Sequence, residues 1–272
     1  MIRQQITSFR CLFLLAVGAA LVLPVSVSAQ TAQQTGGTPA ASGAQQESGG
    51  GGDGSNPLAS VSKLDLFTTF TKSGGSFTTD ISAEGAFMLN PKVKFVYELH
   101  YFVTDVTGKT ENDWETLHLK PIWFPKDFKL SKVWGMRLAV GAELIIDFNT
   151  DAKGIGSGSD QIAPLVGLAF SNKEIGLALI PLVQHFVSYE DGSVNKTVFR
   201  LLGIQPLPAN TWFKLDMKIP YDWVNHAVPY TFELEFGKMF TPKVGVFAQV
   251  LGGIGADRPY DWGSALAIRF NF

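Results

Sequence analysis

The chain's four histidines, His100, His118, His185 and His226, are where reactive chemistry would first be sought. None stands in an H-x-x-x-H or H-E-x-x-H arrangement, and the single cysteine, Cys11, excludes a C-x-x-C pair, so the spacing predicts neither a metal site nor a cofactor. If the segments holding His100 and His118 are adjacent strands, both imidazoles fall on one face. Two nitrogens fall short of the three or four ligands a metal usually takes, and the expectation is a solvated pair. Ser188 lies three residues from His185, a spacing that sends the two side chains to opposite faces of a strand and defeats a nucleophile–base pair. Glu233 and Glu235 share a face about 7 Å apart by strand geometry. Lys214 and Lys218 on the adjoining segment are expected to compensate them, which turns a possible acid–base pair into balanced charge. Gly154-Ile155-Gly156-Ser157-Gly158 is glycine-rich, but no helical pattern follows it, so it reads as a mobile loop and not a phosphate cradle.

The elements that must position these residues are strands. Val93, Phe95, Tyr97, Leu99, Tyr101 and Val103 alternate with Lys94, Glu98 and His100; Leu138, Val140, Leu144 and Ile146 share a parity opposed to Arg137, Glu143 and Asp147. Phe213, Leu215, Met217, Ile219 and Tyr221 alternate with Lys214, Asp216 and Lys218, and Tyr230, Phe232, Leu234 and Phe236 with Glu233 and Glu235. A period of two with one apolar face is the mark of a β-strand. Twelve such segments are predicted, starting near Val61, Ser76, Lys92, Trp114, Lys132, Gln161, Ile175, Val194, Thr211, Pro229, Lys243 and Trp262. Compact turns at Asn90-Pro91, Pro125 to Leu130, Ser171 to Glu174, Leu207 to Asn210 and Thr241-Pro242 alternate with longer, more polar connections.

The two ends of the chain point to a membrane. Residues 1–29 carry Arg3 and Arg10, an apolar run and a Val27-Ser28-Ala29 cleavage site, and read as a signal peptide. Residues 30–56, rich in Gly, Ser and Gln, read as a flexible linker, and 57–272 as one β-domain. Cys11 would leave with the signal peptide, so no disulfide is expected. The last segment, Ala265 to Phe272, alternates and stops on an aromatic residue; it resembles the terminal strand of bacterial outer-membrane barrels, in which Phe270 and Phe272 would form the insertion signal. A formal net charge of -2 offers nothing to nucleic acid.

A soluble β-sandwich would alternate too, but it would turn its apolar face inward. Here Trp114, Trp123, Trp134, Tyr221, Tyr230 and Trp262 gather at strand ends on the apolar face, as interfacial girdles do. The other face carries isolated charges that suit a wet interior. The reading is therefore a closed antiparallel transmembrane β-barrel in a bacterial outer membrane, with lipid and the barrel-assembly machinery as partners. Its lumen-lining candidates are the bases Lys94, Lys120, Arg137, Arg200, Lys214, Lys218 and Arg269, the acids Glu98, Glu143, Asp147, Asp216, Glu233 and Glu235, and the pair His100 and His118. Phe67, Phe102 and Phe247 share their parity and narrow the interior. Outward Val140 should tolerate Arg poorly, and inward Ala139 should tolerate it better. For the hairpin from Thr211, facing residue numbers must sum to 449, 451 or 453, and each register makes a Lys–Glu cross-strand pair.

Pro57-Leu58-Ala59-Ser60, Gln184 to Tyr189, Gln205-Pro206, Trp212 to Trp223, Gly237-Lys238 and Trp262 together resemble the bacterial family labelled putative transporter of the phenol meta-cleavage pathway. The resemblance implies an outer-membrane barrel passing small, aromatic or hydrophobic solutes, and offers no catalytic motif. The expected function is a passive channel and not an enzyme. The alternatives are a structural or adhesive surface barrel, or an outer-membrane hydrolase.

Overall fold

The computed structural model describes residues 56–148, 150–189 and 192–272; the signal-peptide reading and nearly all of the linker reading fall outside them. Twelve strands follow in order: β1 (Lys63–Ser73), β2 (Ser76–Asn90), β3 (Val93–Thr104), β4 (Glu111–Lys129), β5 (Trp134–Asp147), β6 (Gln161–Asn172), β7 (Ala178–Ser188), β8 (Asn195–Leu207), β9 (Thr211–Asp222), β10 (Tyr230–Met239), β11 (Val244–Ile254) and β12 (Trp262–Asn271). Each pairs with its sequence neighbour, and β12 pairs antiparallel with β1 to close the barrel. Closure removes the edges that lipid could not satisfy. Among the described residues the one helical element is a 3₁₀ turn at Asp151–Lys153.

The alternation sorts residues as the chemistry requires. On β5, Ala139, Glu143, Ile145 and Asp147 are buried and Val140 and Leu144 are exposed; on β12, Ala265, Ala267 and Arg269 are buried and Leu266 and Ile268 exposed. The exposed set is apolar, which is stable only where the surroundings are hydrocarbon. β1 begins and β12 ends on one rim, together with the short turns 91–92, 130–133, 173–177, 208–210 and 240–243. The opposite rim carries the longer connections.

Two expectations need correction. The stretch Pro125 to Leu130 is not a turn: β4 runs on to Lys129, and the register slips between Trp123 and Lys126. Pro125, which has no N–H for the ladder, is accommodated by that bulge, and the turn moves to 130–133. Nor is the glycine-rich connection a free loop. Asp147 Oδ2 accepts the N–H groups of Ser157 (2.9 Å) and Gly158 (3.0 Å), and Ile155 is fully buried. Gly156 has φ +75°, and a Cβ there would lie 2.7 Å from Asp147 Oδ2. The glycines do cradle an anion, the chain's own carboxylate.

Proline also marks the weakest seam. Along β6–β7 the register is constant, yet no pairing joins Ala163 and Pro164 to their partners Phe186 and His185, or Leu168 and Ala169 to Pro181 and Ile180. The same residues pair without interruption to β5 and β8 on their other sides. Both prolines therefore direct their missing donor at the same seam. The β4–β5 ladder is interrupted at Pro121 as well, but Lys120–Glu143 (3.2 Å) and Arg137–Asp127 (2.8 Å) bridge it. Among the described residues no side-chain ion pair joins β6 to β7.

Two outcomes follow. Amide exchange of the barrel in lipid should be faster along β6–β7 than along the fully paired β11–β12, and Pro181→Ala should slow it in β7; equal protection of the two seams would refute the account. Val140→Arg should cost about 2–4 kcal/mol in reversible folding into lipid. Ala139 does not offer the milder response expected of an inward site, because it is 0% exposed within an interior apolar cluster that leaves no room for a longer side chain.

Candidate functional site

The interior is built in layers from inward-facing side chains. Nearest the rim that holds both barrel ends, the segment before β1 turns into the lumen. Asn56 shapes it: its Oδ1 accepts the Leu58 N–H at 2.8 Å and its carbonyl accepts the Ala59 N–H at 3.1 Å. Leu58, 2% exposed, enters a cluster of Ile122, Phe124, Ala139, Ala169, Ala178, Ile180, Leu202 and Ile204 from β4 to β8. Lys94 Nζ donates to the carbonyls of Pro57 (2.9 Å) and Ala59 (3.0 Å). Arg137 Nη1 donates to Ser60 Oγ at 3.0 Å, and Arg137 Nε to Asp127 at 2.8 Å. Two cations foreseen as pore lining thus hold the inturned segment 57–60 in the mouth.

Beside it, Phe67, Trp212, Met239, Phe247 and Ala267 form a second apolar cluster. Trp212 is fully buried, and Gly237, its cross-strand partner, makes this possible: a Cβ there would lie 2.1 Å from the indole. Trp212 Nε1 donates to Glu235 Oε1 at 2.6 Å, Gln249 Nε2 to Glu235 Oε2 at 2.7 Å, and Lys214 also pairs with Glu235. Arg269 lies over the Phe247 ring at 4.7 Å and grips Asp65 through two bonds of 2.7 Å. A bidentate guanidinium–carboxylate pair fixes both partners in direction as well as charge.

Farther along the barrel the ions pair in sequence. Arg200 holds Asp216, and Lys218 holds Glu233 at 2.5 Å. The β9–β10 register sums to 449, which places Lys214 opposite Glu235 and Asp216 directly opposite Glu233. Two facing carboxylates are tolerable because each has its own cation. On β3 to β5, Lys120 Nζ lies 3.3 Å from Glu98 and 3.2 Å from Glu143. His118 Nδ1 lies 2.6 Å from Glu143, and its Nε2 is 3.0 Å from Thr116 Oγ1. His100 bonds Asp80 at 3.0 Å, and the two imidazole rings are 5.3 Å apart.

Donor atoms of Glu98, His118 and Glu143 lie within 4.8 Å of one another, a spacing that suits a metal ion. The Lys120 ammonium stands between the two carboxylates and already supplies the positive charge. His185, by contrast, is on the outer face. Its Nδ1 lies 2.9 Å from Thr197 Oγ1, to which Trp223 Nε1 also donates at 3.0 Å. Among the described residues no carboxylate or amide hydrogen-bonds His185. Ser188 faces the other way and accepts the Val194 N–H at 3.1 Å.

The foreseen lumen residues all lie on the inward parity, and Asp147 alone among them is drawn into the loop nest. Sequence reasoning missed Leu58 as a seal and Trp212 as an interior anchor. For Trp212 a signal was present, the glycine at 237 on an otherwise aromatic strand; for Leu58 there was none nearby in the sequence.

No family model matches the chain, and no curated protein matches it. Solved structures do. The KdgM porin aligns with a TM-score of 0.54 at 7% identity over 77% of this chain and 99% of the porin. The COG4313 outer membrane channel from Pseudomonas putida F1 aligns at 0.54 with 10% identity, over 79% and 97%. The Salmonella typhi outer membrane phospholipase dimer with bound calcium aligns at 0.51 with 12% identity, over 79% and 93%. The fold is that of small outer-membrane β-barrels, shared by channels and by a hydrolase.

The Arg269–Asp65 pair gives the test of this interior. Asp65→Asn leaves a buried guanidinium without its charge partner and should cost about 3–5 kcal/mol in urea unfolding from lipid vesicles, while Asp65→Asn with Arg269→Met should recover most of that. A neutral single substitution would mean that the interior is wet enough to solvate Arg269.

Proposed function

We propose that this chain is an outer-membrane channel for small, uncharged solutes with apolar or aromatic character. The observation that supports the reading best is the distribution of charge inside. Asp65, Glu98, Glu143, Asp216, Glu233 and Glu235 each meet a base, and Asp147 is held by backbone N–H groups, so the charges are largely balanced, whereas selectivity among ions requires rings of one sign. The half nearest the barrel ends packs Leu58, Ile180, Leu202, Ile204, Trp212 and Phe247 around the hydrogen-bonded charges Lys94, Asp65, Arg269 and Glu235. Hydrated ions and sugars gain nothing there, whereas a small apolar molecule exchanges water for side-chain contact. The likeness to channels of this fold, and the sparse motif resemblance at Pro57 to Ser60 and Trp212, lend the same direction. The chain would sit in the outer membrane, with Phe270 and Phe272 as its insertion signal for the assembly machinery.

Leu58 and its neighbours act in this reading as the constriction. Planar-bilayer recording tests it. The intact barrel should show small, discrete conductance and a reversal potential near zero. Deleting residues 56–60 should raise the conductance and shift selectivity toward anions, because Lys94 loses its carbonyl partners while Arg137 keeps Asp127. A silent barrel in both forms would favour a structural surface protein. Strong selectivity in the intact protein would contradict the balanced interior.

A further inference from the structure

The two rims of the barrel carry opposite charge. On the rim of short turns, Lys126, Lys129, Lys132, Lys173, Lys238 and Lys243 are all exposed, and among the described residues none of them has an ion-pair partner. The carboxylates nearby are Asp127, already held by Arg137, and Glu174. The opposite rim is acidic. Of its cations, Lys109, Lys153 and Arg258 are engaged by Glu111, Asp113 and Asp261, and Lys72 and Lys196 lie over the rings of Phe77 and Phe186, while Asp105, Asp151, Asp222 and Asp257 add negative charge that outweighs them. The chain as a whole is close to neutral, so the basic rim is a local arrangement and not a general excess.

Two of these lysines face the lipid and not the pore. Lys126 pairs across β4–β5 with Leu138, and Lys238 across β10–β11 with Val246, both on the outward parity. Each ammonium lies near an aromatic ring on the same face: Lys126 is 4.9 Å from the Phe128 centroid, and Lys238 is 5.9 Å from that of Phe240. Phe240, at 62% exposure, continues the apolar band begun by Leu234 and Phe236. An aromatic body in the acyl region with an ammonium extended toward the interface is the arrangement that meets a phosphate headgroup. A soluble acidic partner could reach the turn lysines, but not an ammonium lying against a lipid-facing ring.

We infer that this rim binds anionic phospholipid of the leaflet that surrounds it, with Lys126 and Lys238 as contacts to the headgroup phosphate and the turn lysines adding longer-range attraction. The inference rests on the membrane reading given above and on the barrel ends lying at the inner leaflet, but not on transport. The negative potential of an anionic leaflet draws basic side chains lying within a Debye length.

Spin-labelled phosphatidylglycerol and phosphatidylcholine, each added to the refolded full barrel in phosphatidylcholine vesicles, provide the test. At low salt the immobilised lipid fraction should favour phosphatidylglycerol by about threefold or more, as a surface attraction of this strength implies. The preference should fall toward parity with Lys126→Gln and Lys238→Gln together, and toward parity for the unaltered protein in 1 M NaCl. Equal immobilisation of the two lipids by the unaltered barrel overturns the inference, as does a preference that survives the double substitution. Should the variant fail to fold, a preference unmoved by salt overturns it equally. Conductance is read separately, so a silent but lipid-selective barrel would sink the channel reading alone.

Discussion

A bilayer interior offers no partner to a peptide N–H or carbonyl, and every other property of this protein follows from meeting that demand. Helices satisfy it within one segment; a sheet can satisfy it only by closing. Once β12 pairs with β1, the period-two alternation has a fixed meaning: one parity must be apolar because it faces acyl chains, and the other is left for whatever the interior requires. The charges could not go anywhere else. Three of the gaps obey the rule, since they fall at Pro121, Pro164 and Pro181, where the donor does not exist; the shifts at Met88/Asn90 and Leu99/Tyr101 are bulges without proline.

The interior then faces its own constraint, which is electrostatic. Acids and bases drawn to one side of a closed wall lie within a few ångströms of each other and away from most of the water. They must pair or leave. The pairs run between neighbouring strands: Arg269 on β12 with Asp65 on β1, Glu98 on β3 through Lys120 on β4 to Glu143 on β5, Arg200 on β8 with Asp216 on β9, and Lys218 on β9 with Glu233 on β10. Each is stronger inside than it would be on a surface, and each also pins two strands in register. What remains between the paired charges is apolar side chain, gathered in the two interior clusters.

Strand number, parity and the identity of the inward charges were legible because a two-residue period survives any error in where a strand begins. Most predicted starts lie within two residues of the observed ones, Trp114 and Ile175 being three off. The Pro125 bulge was not legible, since proline and asparagine signal a turn as readily as an irregular strand. The anion nest at Asp147 was hidden for a related reason: a glycine-rich loop reads as free until the carboxylate it wraps is known to be nearby. The seal was hidden most deeply. Nothing local in Pro57-Leu58-Ala59-Ser60 reveals a pocket made by five other strands, and the cations that hold it, Lys94 and Arg137, look like any others on their face. The register sum of 449 was one of three allowed by the pattern; turn length, which parity does not encode, chose among them.

The position of Leu58 has a consequence for the order of events during assembly. Its cavity is shaped by residues of β4, β5, β6, β7 and β8, while its anchors stand on β3 and β5. Leu58 precedes all of them in the chain, so it emerges first from any directional synthesis or export and finds nothing to bind. Only when more than half of the wall stands does the cavity exist. The first described segment therefore cannot dock until strands β3 to β8, all later in the chain, have formed its cavity and anchors. Docking of Leu58 is in that sense a check on the middle of the wall: it requires β3 to β8 to be correctly paired, and asks nothing of β9 to β12.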